Sequence, residues 1–225
     1  VLLPDEPALK AVLDQGVWSR VEWLSGEQSQ WQLRLISDDA SHFEISAKGE
    51  RRTQSGVVEW SLCGEHNARN ALAAVAAAAQ VGIDVGVATR ALSEFVSVKR
   101  RLQLLVESQG ISLYDDFAHH PTAIAMTLDA VSRKHPGRRI LAVVEPRSNT
   151  MRMGVHDDKL ASAVRLAHQV WWFDASERAA EHASSIFRDV ENVKLATSIA
   201  DIVGEVADLM QTDDVIVVMS NGGFG

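Results

Sequence analysis

The first 62 residues open irregularly and then alternate apolar with polar positions in short stretches. VEWL, QWQLRLI, HFEISA and VVEWSL each show the pattern of a strand with one buried face. The polar segments GEQS, SDDAS and KGERRTQSG separate them, so the pattern predicts an antiparallel meander. We expect Trp18, Trp23, Trp31 and Trp60 to pack its core, because bulky aromatic residues at strand spacing are more often core residues than ligand platforms.

A helix-forming segment follows these strands. Gly64 permits a turn out of the last strand, and His66 or Asn67 can serve as the N-cap. Residues 71–80 are almost entirely strong helix formers, and VGIDVGVATRALSEF adds a loop and a second short helix. Helical periodicity stops near residues 96–99, where VKRRLQLLVE begins a new strand, so we place a domain boundary there.

Beyond residue 101, strand-like apolar runs alternate with helical patterns. The expected strands are LQLLVE, ISLYDD, RRILAVVE, VWWF, VKLA and VIVVM, and helical segments separate them from ISLYDD onward. This alternation predicts a doubly wound, mostly parallel sheet of the Rossmann-like type, and LAVVE and VIVVM are apolar enough for burial on both faces. The predicted fold class is therefore α/β, with an antiparallel and helical region before the parallel sheet.

Three loops with reactive side chains follow strand ends in this second region: DDFAHHP, EPRSNTMRMG and SNGGFG. The first carries Asp115, Asp116, His119 and His120, and Pro121 suits the first turn of the next helix. Ligands of open α/β sheets bind beyond the carboxyl ends of the strands, so these loops predict a binding edge. A solvated loop whose acids cap the next helix is the alternative for the first loop.

Two further pairs of residues suggest nucleotide chemistry. Asn67 and Asn70 are three residues apart and share one face of the first helical turn, and an Asn amide matches the N6/N7 edge of adenine. Capping alone is the alternative for these two residues. Arg100 and Arg101 at the domain boundary could bind a phosphate, although a solvated basic pair is the commoner case.

Composition narrows the range of partners. A hydrophobic fraction of 46% and a charged fraction of 23% are typical of a soluble globular protein. The net charge of −8 argues against binding nucleic acid through its backbone, and we expect neither a nucleic-acid nor a membrane partner. Cys63 is the only cysteine, which excludes an internal disulfide, favours a buried apolar role for its thiol and predicts a reducing, cytoplasmic compartment. The adjacent His119 and His120 have no acidic partner at a recognisable ligand spacing, so no metal site is expected.

Taken in order, GEHNARN, VKRRLQ and YDDFAHHP resemble motifs of the Mur ligase family, the ATP-dependent enzymes that build the peptidoglycan stem peptide. The resemblance covers essentially the whole chain. It implies that residues 1–96 are the C-terminal part of a central ATPase domain. It also implies that residues 97–225 are most of a C-terminal domain that binds the amine substrate, truncated at its end.

The same resemblance implies roles for individual residues. Nucleotide contacts are implied for His66, Asn67, Asn70, Arg101 and Asp116. Of these, Arg101 would reach the ATP phosphates and Asp116 would touch the nucleotide, so both are also implied catalytic residues. No single motif is specific, but their order and spacing together are.

EPRSNTMRMG and SNGGFG resemble the family members that join the recycled tripeptide L-alanyl-γ-D-glutamyl-meso-diaminopimelate to UDP-N-acetylmuramate. Substrate contacts are then implied for His119, His120, Arg147, Ser148 and Asn149. The physical logic agrees for Arg147, because a guanidinium binds a carboxylate bidentately, although pairing with the glutamate two residues earlier is the alternative. The ligase that adds L-alanine and a noncatalytic nucleotide- or peptide-binding module remain alternative functions.

The chain also departs from the family pattern. A glycine-rich phosphate loop ending in Gly-Lys-Ser/Thr is absent from these 225 residues. The family's domain for the uridine nucleotide and its segment with magnesium ligands are also unmatched, so ATP and Mg²⁺ are the implied cofactors, with the metal ligands outside this sequence. We therefore expect a fragment that is inactive alone and a parent enzyme that forms an acyl phosphate before the amine attacks.

Overall fold

A computed structural model describes residues 2–4, 6–27, 29–48, 53–146, 157–174 and 177–222. The chain divides into two compact units, Val1–Val96 and Ser97–Gly225. Each unit is built around buried apolar residues of its own. Among the described residues, no helix combines the length and the apolar character that crossing a bilayer requires.

The first unit contains the predicted antiparallel meander, preceded by a short parallel pair of strands and followed by two helices. The elements in chain order are β1 (Leu2–Leu3), α1 (Pro7–Leu13), β2 (Glu22–Trp23), β3 (Trp31–Leu35), β4 (His42–Lys48), β5 (Thr53–Glu59), α2 (Glu65–Gln80) and α3 (Val85–Ser93). The sheet order is β3-β4-β5 with antiparallel pairing throughout, while β1 and β2 pair in parallel. The alternating pattern thus predicted three strands of the meander correctly, but the segment VEWL, expected as its first strand, forms β2 and pairs in parallel with β1 instead. Helix α1 and strand β1 lie in the irregular opening and were not expected.

The core of the first unit lies between the meander and α2 and α3, and only part of the tryptophan prediction is correct. Trp31 is 5% exposed in that core, and Trp60 packs edge-on against Phe43 with ring centroids 5.2 Å apart. Trp23 is only half-buried. The prediction is wrong for Trp18, which is 98% exposed. Trp18 precedes β2 in a stretch without regular structure, so the strand spacing that motivated its burial does not exist there.

Helix α2 begins earlier than the sequence pattern indicated. Gly64 is its N-cap with φ of 92°, a conformation that favours glycine, and its N–H donates to the carbonyl of Asp39 at 2.7 Å. The predicted caps, His66 and Asn67, therefore lie inside the first turn. Asn67 instead donates from Nδ2 to the carbonyl oxygen of Cys63 at 2.8 Å.

The second unit is the predicted doubly wound sheet. Its elements in chain order are β6 (Gln103–Ser108), β7 (Ile111–Asp116), α4 (Pro121–Lys134), β8 (Ile140–Glu145), α5 (Asp157–Ala163), β9 (Gln169–Phe173), α6 (Glu177–Ile186), β10 (Val193–Ala196), α7 (Ile199–Leu209) and β11 (Val215–Ser220). The strand order is β10-β9-β8-β11-β7-β6, and every neighbouring pair is parallel except β6 with β7. The predicted α/β fold class is confirmed.

Both faces of this sheet are packed, but unequally. One face carries α4, α5 and α6 over a large core that includes Ile124, Leu128 and Leu160. The other face carries α7, which buries Ile202 against strand residues such as Trp171. Because β8 lies in the middle of the sheet, all six of its residues are buried, as its continuous apolar run predicted.

Candidate functional site

The carboxyl ends of β7, β8 and β11 lie side by side at one edge of the sheet. In the parallel register Met219 pairs with Asp116, and Ser220 pairs with Glu145. The loops that the sequence singled out therefore begin at the same edge, as predicted. The Ser220 hydroxyl donates to Oε2 of Glu145 and accepts a bond from the N–H of Gly222 at 3.0 Å, so it ties the ends of β8 and β11 together. The sequence analysis singled out EPRSNTMRMG and SNGGFG, which begin with these two residues, but it did not predict that the two side chains form a pair.

Arg100 is committed to protein contacts at this edge. Its guanidinium donates to the carbonyl oxygens of Gly222, at 2.8 Å, and Ser220. The same group lies 3.4 Å from a carboxylate oxygen of Asp115 and 5.4 Å from the ring centroid of Phe117. Arg100 thus fastens the start of the last loop to the start of the unit, which leaves it little capacity for a ligand.

Arg101, its neighbour, is exposed. Its guanidinium lies 5.7 Å from the ring centroid of Phe117, on which Arg100 also packs. Among the described residues, Arg101 makes no hydrogen bond or ion pair through this group. Of the two arginines, Arg101 is therefore the one whose donors can face a phosphate, and its predicted role in nucleotide binding stays a prediction.

The backbone around these arginines has an unusual conformation. Arg100 and Leu102 both have positive φ, 61° and 46°, which residues other than glycine rarely adopt. The N–H of Arg100 donates to Oε1 of Gln103 at 3.1 Å, and its carbonyl accepts the N–H of Phe117 at 2.9 Å. We call residues 100–102 the 100–102 turn.

Asp116 is buried beneath the 100–102 turn and is 6% exposed. Oδ2 accepts the N–H of Leu102 at 2.7 Å, while Oδ1 accepts the N–H of Ala118 at 2.8 Å and the hydroxyl of Thr127 at 3.1 Å. Its carboxylate thus accepts three bonds from protein donors, and its predicted contact with a nucleotide stays a prediction. The neighbouring Asp115 is the less buried of the two acids, because alternate residues of β7 face opposite sides of the sheet.

The two histidines of the loop lie directly before α4. Nδ1 of His119 is 2.8 Å from the carbonyl oxygen of Phe117, so this nitrogen carries the proton and Nε2 of the neutral ring is an acceptor. His120 is the N-cap of α4 without a side-chain capping bond, and Pro121 opens the helix as predicted. Neither acid of the loop caps this helix, which removes the alternative interpretation of the DDFAHHP segment.

Arg147, Ser148 and Asn149, the predicted peptide-binding residues, lie outside the described residues. The strand that leads to them is β8, which ends at Glu145 and is followed by Pro146. Their contacts with a substrate, and the alternative pairing of Arg147 with Glu145, stay predictions.

The predicted adenine contacts belong to α2 in the first unit. Asn70 is exposed and lines a cavity of about 390 Å³, whose other walls include Trp31 and Leu33. Asn67 turns instead toward Cys63 and does not line this cavity, and neither does the half-buried His66. The structure therefore places one of the three predicted residues at a concave surface. Cys63 is a buried thiol, as its apolar context indicated.

A larger cavity of about 650 Å³ lies on the face of the second unit's sheet that carries α7. Its walls are mainly apolar side chains of α7 and the sheet, and Arg100, Asp115 and Gly222 form its polar end. The pattern of apolar and polar residues within single segments of the sequence did not predict this cavity. It depends on α7 lying on the face opposite to α4, α5 and α6, which follows from the strand order.

Comparison with known proteins adds a family and several relatives. The family described as Mur ligase, glutamate ligase domain, matches residues 100–222. The UDP-N-acetylmuramate–L-alanyl-γ-D-glutamyl-meso-2,6-diaminoheptandioate ligase of Escherichia coli is 44% identical over 221 residues, which are 96% of this chain and 47% of that protein. A UDP-N-acetylmuramate–L-alanine ligase of Salinibacter ruber is 34% identical over 148 residues, which are 65% of this chain and 30% of that protein.

Among solved structures, a murein peptide ligase from Psychrobacter arcticus superposes with a TM-score of 0.73 at 37% identity, covering 99% of this chain and 48% of that one. The chain thus spans about half the length of the relatives that it matches along nearly all of its own length.

Proposed function

Because this chain belongs to the Mur ligase family, we propose that its gene product is a cytoplasmic, ATP-dependent ligase of peptidoglycan recycling. The proposed substrates are UDP-N-acetylmuramate and L-alanyl-γ-D-glutamyl-meso-diaminopimelate, which the enzyme joins by an amide bond. The observation that carries this proposal is the identity with the E. coli ligase named for these substrates, which is higher and extends over more of the chain than the identity with the L-alanine ligase.

The proposed reaction has two steps. The muramyl carboxylate attacks the γ-phosphorus of ATP, so ADP leaves and an acyl phosphate forms. The tripeptide amine then attacks the acyl carbon, the tetrahedral intermediate expels phosphate, and the nitrogen loses its proton. Holding the amine and the acyl phosphate in a reactive geometry would supply several kcal/mol of the barrier reduction by orientation alone.

Within the first unit, we assign the adenine contacts to His66, Asn67 and Asn70. Asn70 offers both the donor and the acceptor that the N6/N7 edge of adenine requires, and it lines a cavity with aromatic and aliphatic walls. The amide nitrogen of Asn67 already donates one of its two protons to the Cys63 carbonyl, which leaves its oxygen and one N–H for the adenine edge.

Within the second unit, we assign phosphate contacts to Arg101 and peptide contacts to the loops after β7 and β8. His119 and His120 border the first loop, and Nε2 of neutral His119 would accept a bond from an ammonium or amide N–H of the peptide. Arg147 follows β8 through Pro146, whose fixed φ limits the entropy lost when the loop binds a carboxylate. Ser148 and Asn149 would add neutral donors.

The described residues do not form a site for the Mg²⁺ that accompanies ATP. No group of three His, Cys, Asp or Glu side chains among them converges in a way that could hold a metal ion. We therefore assign no step to a metal held by these residues and place the magnesium ligands of the proposed enzyme outside them.

The decisive experiment is steady-state kinetics of the full-length gene product with each substrate varied in turn. Arg147→Lys keeps the charge but loses the planar pair of donors, so kcat/KM for the tripeptide should fall by about ten- to a hundredfold, the cost of one charge-assisted contact. The constants for ATP and UDP-N-acetylmuramate should stay nearly unchanged. Arg133→Lys on the exposed face of α4 is the matched control and should behave as wild type.

An equal loss for all three substrates would assign Arg147 a structural role, and an unchanged tripeptide constant would assign recognition to another residue. The reaction class is tested in the same assay by the choice of amine. Phosphate release with L-alanine but not with the tripeptide would establish the alternative ligase. If neither amine causes phosphate release, the result would favour a noncatalytic binding module.

A further inference from the structure

We propose that Glu145 is the base that deprotonates the attacking amine, and that Asn221 holds the same amine through its side-chain oxygen. This inference rests on the proposed function and deepens it, because the proposed second step takes protons from the tripeptide nitrogen without naming a group that accepts them. Both residues lie at the edge where β8 and β11 end side by side.

Glu145 is a buried acid at the end of an apolar strand. It is 7% exposed, and every other residue of β8 is buried as well. Its Oε2 accepts the Ser220 hydroxyl, whose oxygen accepts the N–H of Gly222, so both bonds point toward the carboxylate. A buried carboxylate is costly unless donors or a cation compensate for its lost hydration. A carboxylate offers about four acceptor positions, so the bond from Ser220 leaves room for N–H groups of a substrate.

Asn221 supplies an independent observation. Its Oδ1 is buried, and no group among the described residues donates a hydrogen bond to it. Leaving a buried acceptor unpaired destabilises a protein, so a native structure seldom retains one without a functional reason. Asn221 directly follows Ser220, the register partner of Glu145, which places the unpaired oxygen at the same strand ends as the buried acid.

Two acceptors at one edge suit a ligand that carries several N–H groups. The α-amine of the tripeptide is such a ligand, because its pKa is ordinarily about 7.7–8.0 and it is mostly an ammonium at neutral pH. The other two acids of this edge have different roles. Asp115 lies 3.4 Å from the guanidinium of Arg100, and Asp116 has a predicted nucleotide contact. We therefore assign the amine to Glu145.

The proposed step moves one proton before the new bond forms. The ammonium gives a proton to the Glu145 carboxylate, and the nitrogen attacks the acyl carbon with the electron pair that it keeps. After the C–N bond has formed, the C–O bond to phosphate breaks, and phosphate leaves with that electron pair and the second proton of the nitrogen. Glu145 then returns its proton to solvent. Burial favours the transfer, because it disfavours the charged carboxylate and ammonium relative to the neutral pair.

Glu145→Gln keeps the shape of the side chain and removes the base. With saturating substrates, kcat of the full-length gene product for amide formation should fall by about a hundredfold or more, since a general base contributes at least that much. The deficit should shrink above about pH 8, where the tripeptide amine is neutral without a base. Glu191→Gln, at an exposed glutamate before β10, is the matched control and should behave as wild type.

The first step of the reaction distinguishes a lost base from a damaged fold. Formation of the acyl phosphate needs no amine, so Glu145→Gln should exchange label from ADP into ATP at the wild-type rate when UDP-N-acetylmuramate is present. Hydroxylamine, which is unprotonated at neutral pH, should trap the acyl phosphate equally well in both proteins. Loss of exchange together with amide formation would overturn the proposal. A raised KM for the tripeptide with unchanged kcat would also overturn it and identify Glu145 as the partner of Arg147.

Asn221→Ala tests the second acceptor. KM for the tripeptide should rise by about tenfold, the effect of one hydrogen bond to a charged group. The Tm of the full-length gene product without substrates should not fall, because no bond to the Asn221 oxygen among the described residues is lost. A lower Tm or an unchanged KM would contradict the role of Asn221.

Failure of the proposed function would give a different pattern of results. If the wild-type protein neither exchanges label from ADP nor forms the amide, the proposed function is wrong and this inference fails with it. If Glu145→Gln exchanges label and also forms the amide at the wild-type rate, the proposed function stands and this inference alone is wrong.

Discussion

At the scale of single residues, the ion pair between the buried Asp214 and the partly exposed Arg139 shows how local contacts decide a charge state. The two side chains form a bidentate pair, with Nε to Oδ1 at 2.8 Å and Nη2 to Oδ2 at 2.7 Å. Burial alone would raise the pKa of Asp214, but the bonds from Arg139 and from the N–H of Gln211 outweigh burial and lower it. The pair joins the residues that immediately precede β8 and β11.

This pair predicts an acid-sensitive part of the unfolding free energy. Because the pKa of Asp214 is lower in the folded protein, the stabilisation is complete above its ordinary pKa of 3.8 and is lost as the pH falls through the lower folded value. Asp214→Asn should therefore cost about 1.5–3 kcal/mol at neutral pH and progressively less below pH 3.8. Denaturant titrations at several pH values would measure this difference, and a cost independent of pH would contradict it. Asp129→Asn is the control, with an expected effect below about 0.5 kcal/mol.

Residue types in sequence could not assign roles within the pairs Arg100/Arg101 and Asp115/Asp116. The sequence placed the two acids at the binding edge and the two arginines at the domain boundary, and the strand register confirms the position of the acids. Which arginine is exposed depends on the positive φ values of the 100–102 turn, and which acid is buried depends on the pleat of β7. Backbone conformation and pleat register are set by tertiary contacts, which a pattern of residue types does not contain.

At the scale of elements, the approach of β5 to α3 depends on one glycine. A Cβ atom built at Gly56 would lie 2.0 Å from Oγ1 of Thr89, a buried residue whose hydroxyl donates to the carbonyl of Val85. The sequence pattern placed Gly56 in a turn, whereas β5 begins three residues before it. Glycine in a strand commonly marks such a close approach, and composition alone does not distinguish that role from a turn.

Two glycine substitutions should have opposite effects on stability, because Gly56 lies against Thr89 and Gly204 has open space beside it. Gly56→Ala should destabilise the protein by about 1–3 kcal/mol through overpacking, and Thr89→Ala should recover part of that loss in the double variant. Gly204→Ala lies in α7 with no atom within 4 Å of the added methyl, so it should stabilise by about 0.4–1 kcal/mol. Chemical denaturation measures both. Equal effects of the two substitutions would show that the contact with Thr89 does not limit the packing of β5.

At the scale of the whole chain, the sequence supported the architecture better than the site. Alternation of apolar strands with helices is a property of many residues together, so it predicted the doubly wound sheet despite local errors such as the predicted burial of Trp18. The site depends on a few side chains, and Arg147, the residue proposed for peptide recognition, lies outside the described residues. The cavity beside α7 depends on topology and was not visible in any single segment.

The division into two units predicts that packing defects stay local. Ile45 and Ile124 are fully buried in the cores of the first and second unit. Replacing either by Val removes one methylene and should cost about 0.5–1.5 kcal/mol in its own unit. Since each isoleucine packs in the core of its own unit, hydrogen–deuterium exchange should accelerate in the slowest peptides of the mutated unit and remain unchanged in the other. The effects of Ile45→Val and Ile124→Val should be additive in the double variant. Acceleration of exchange across both units by one substitution would show instead that they unfold as a single cooperative body.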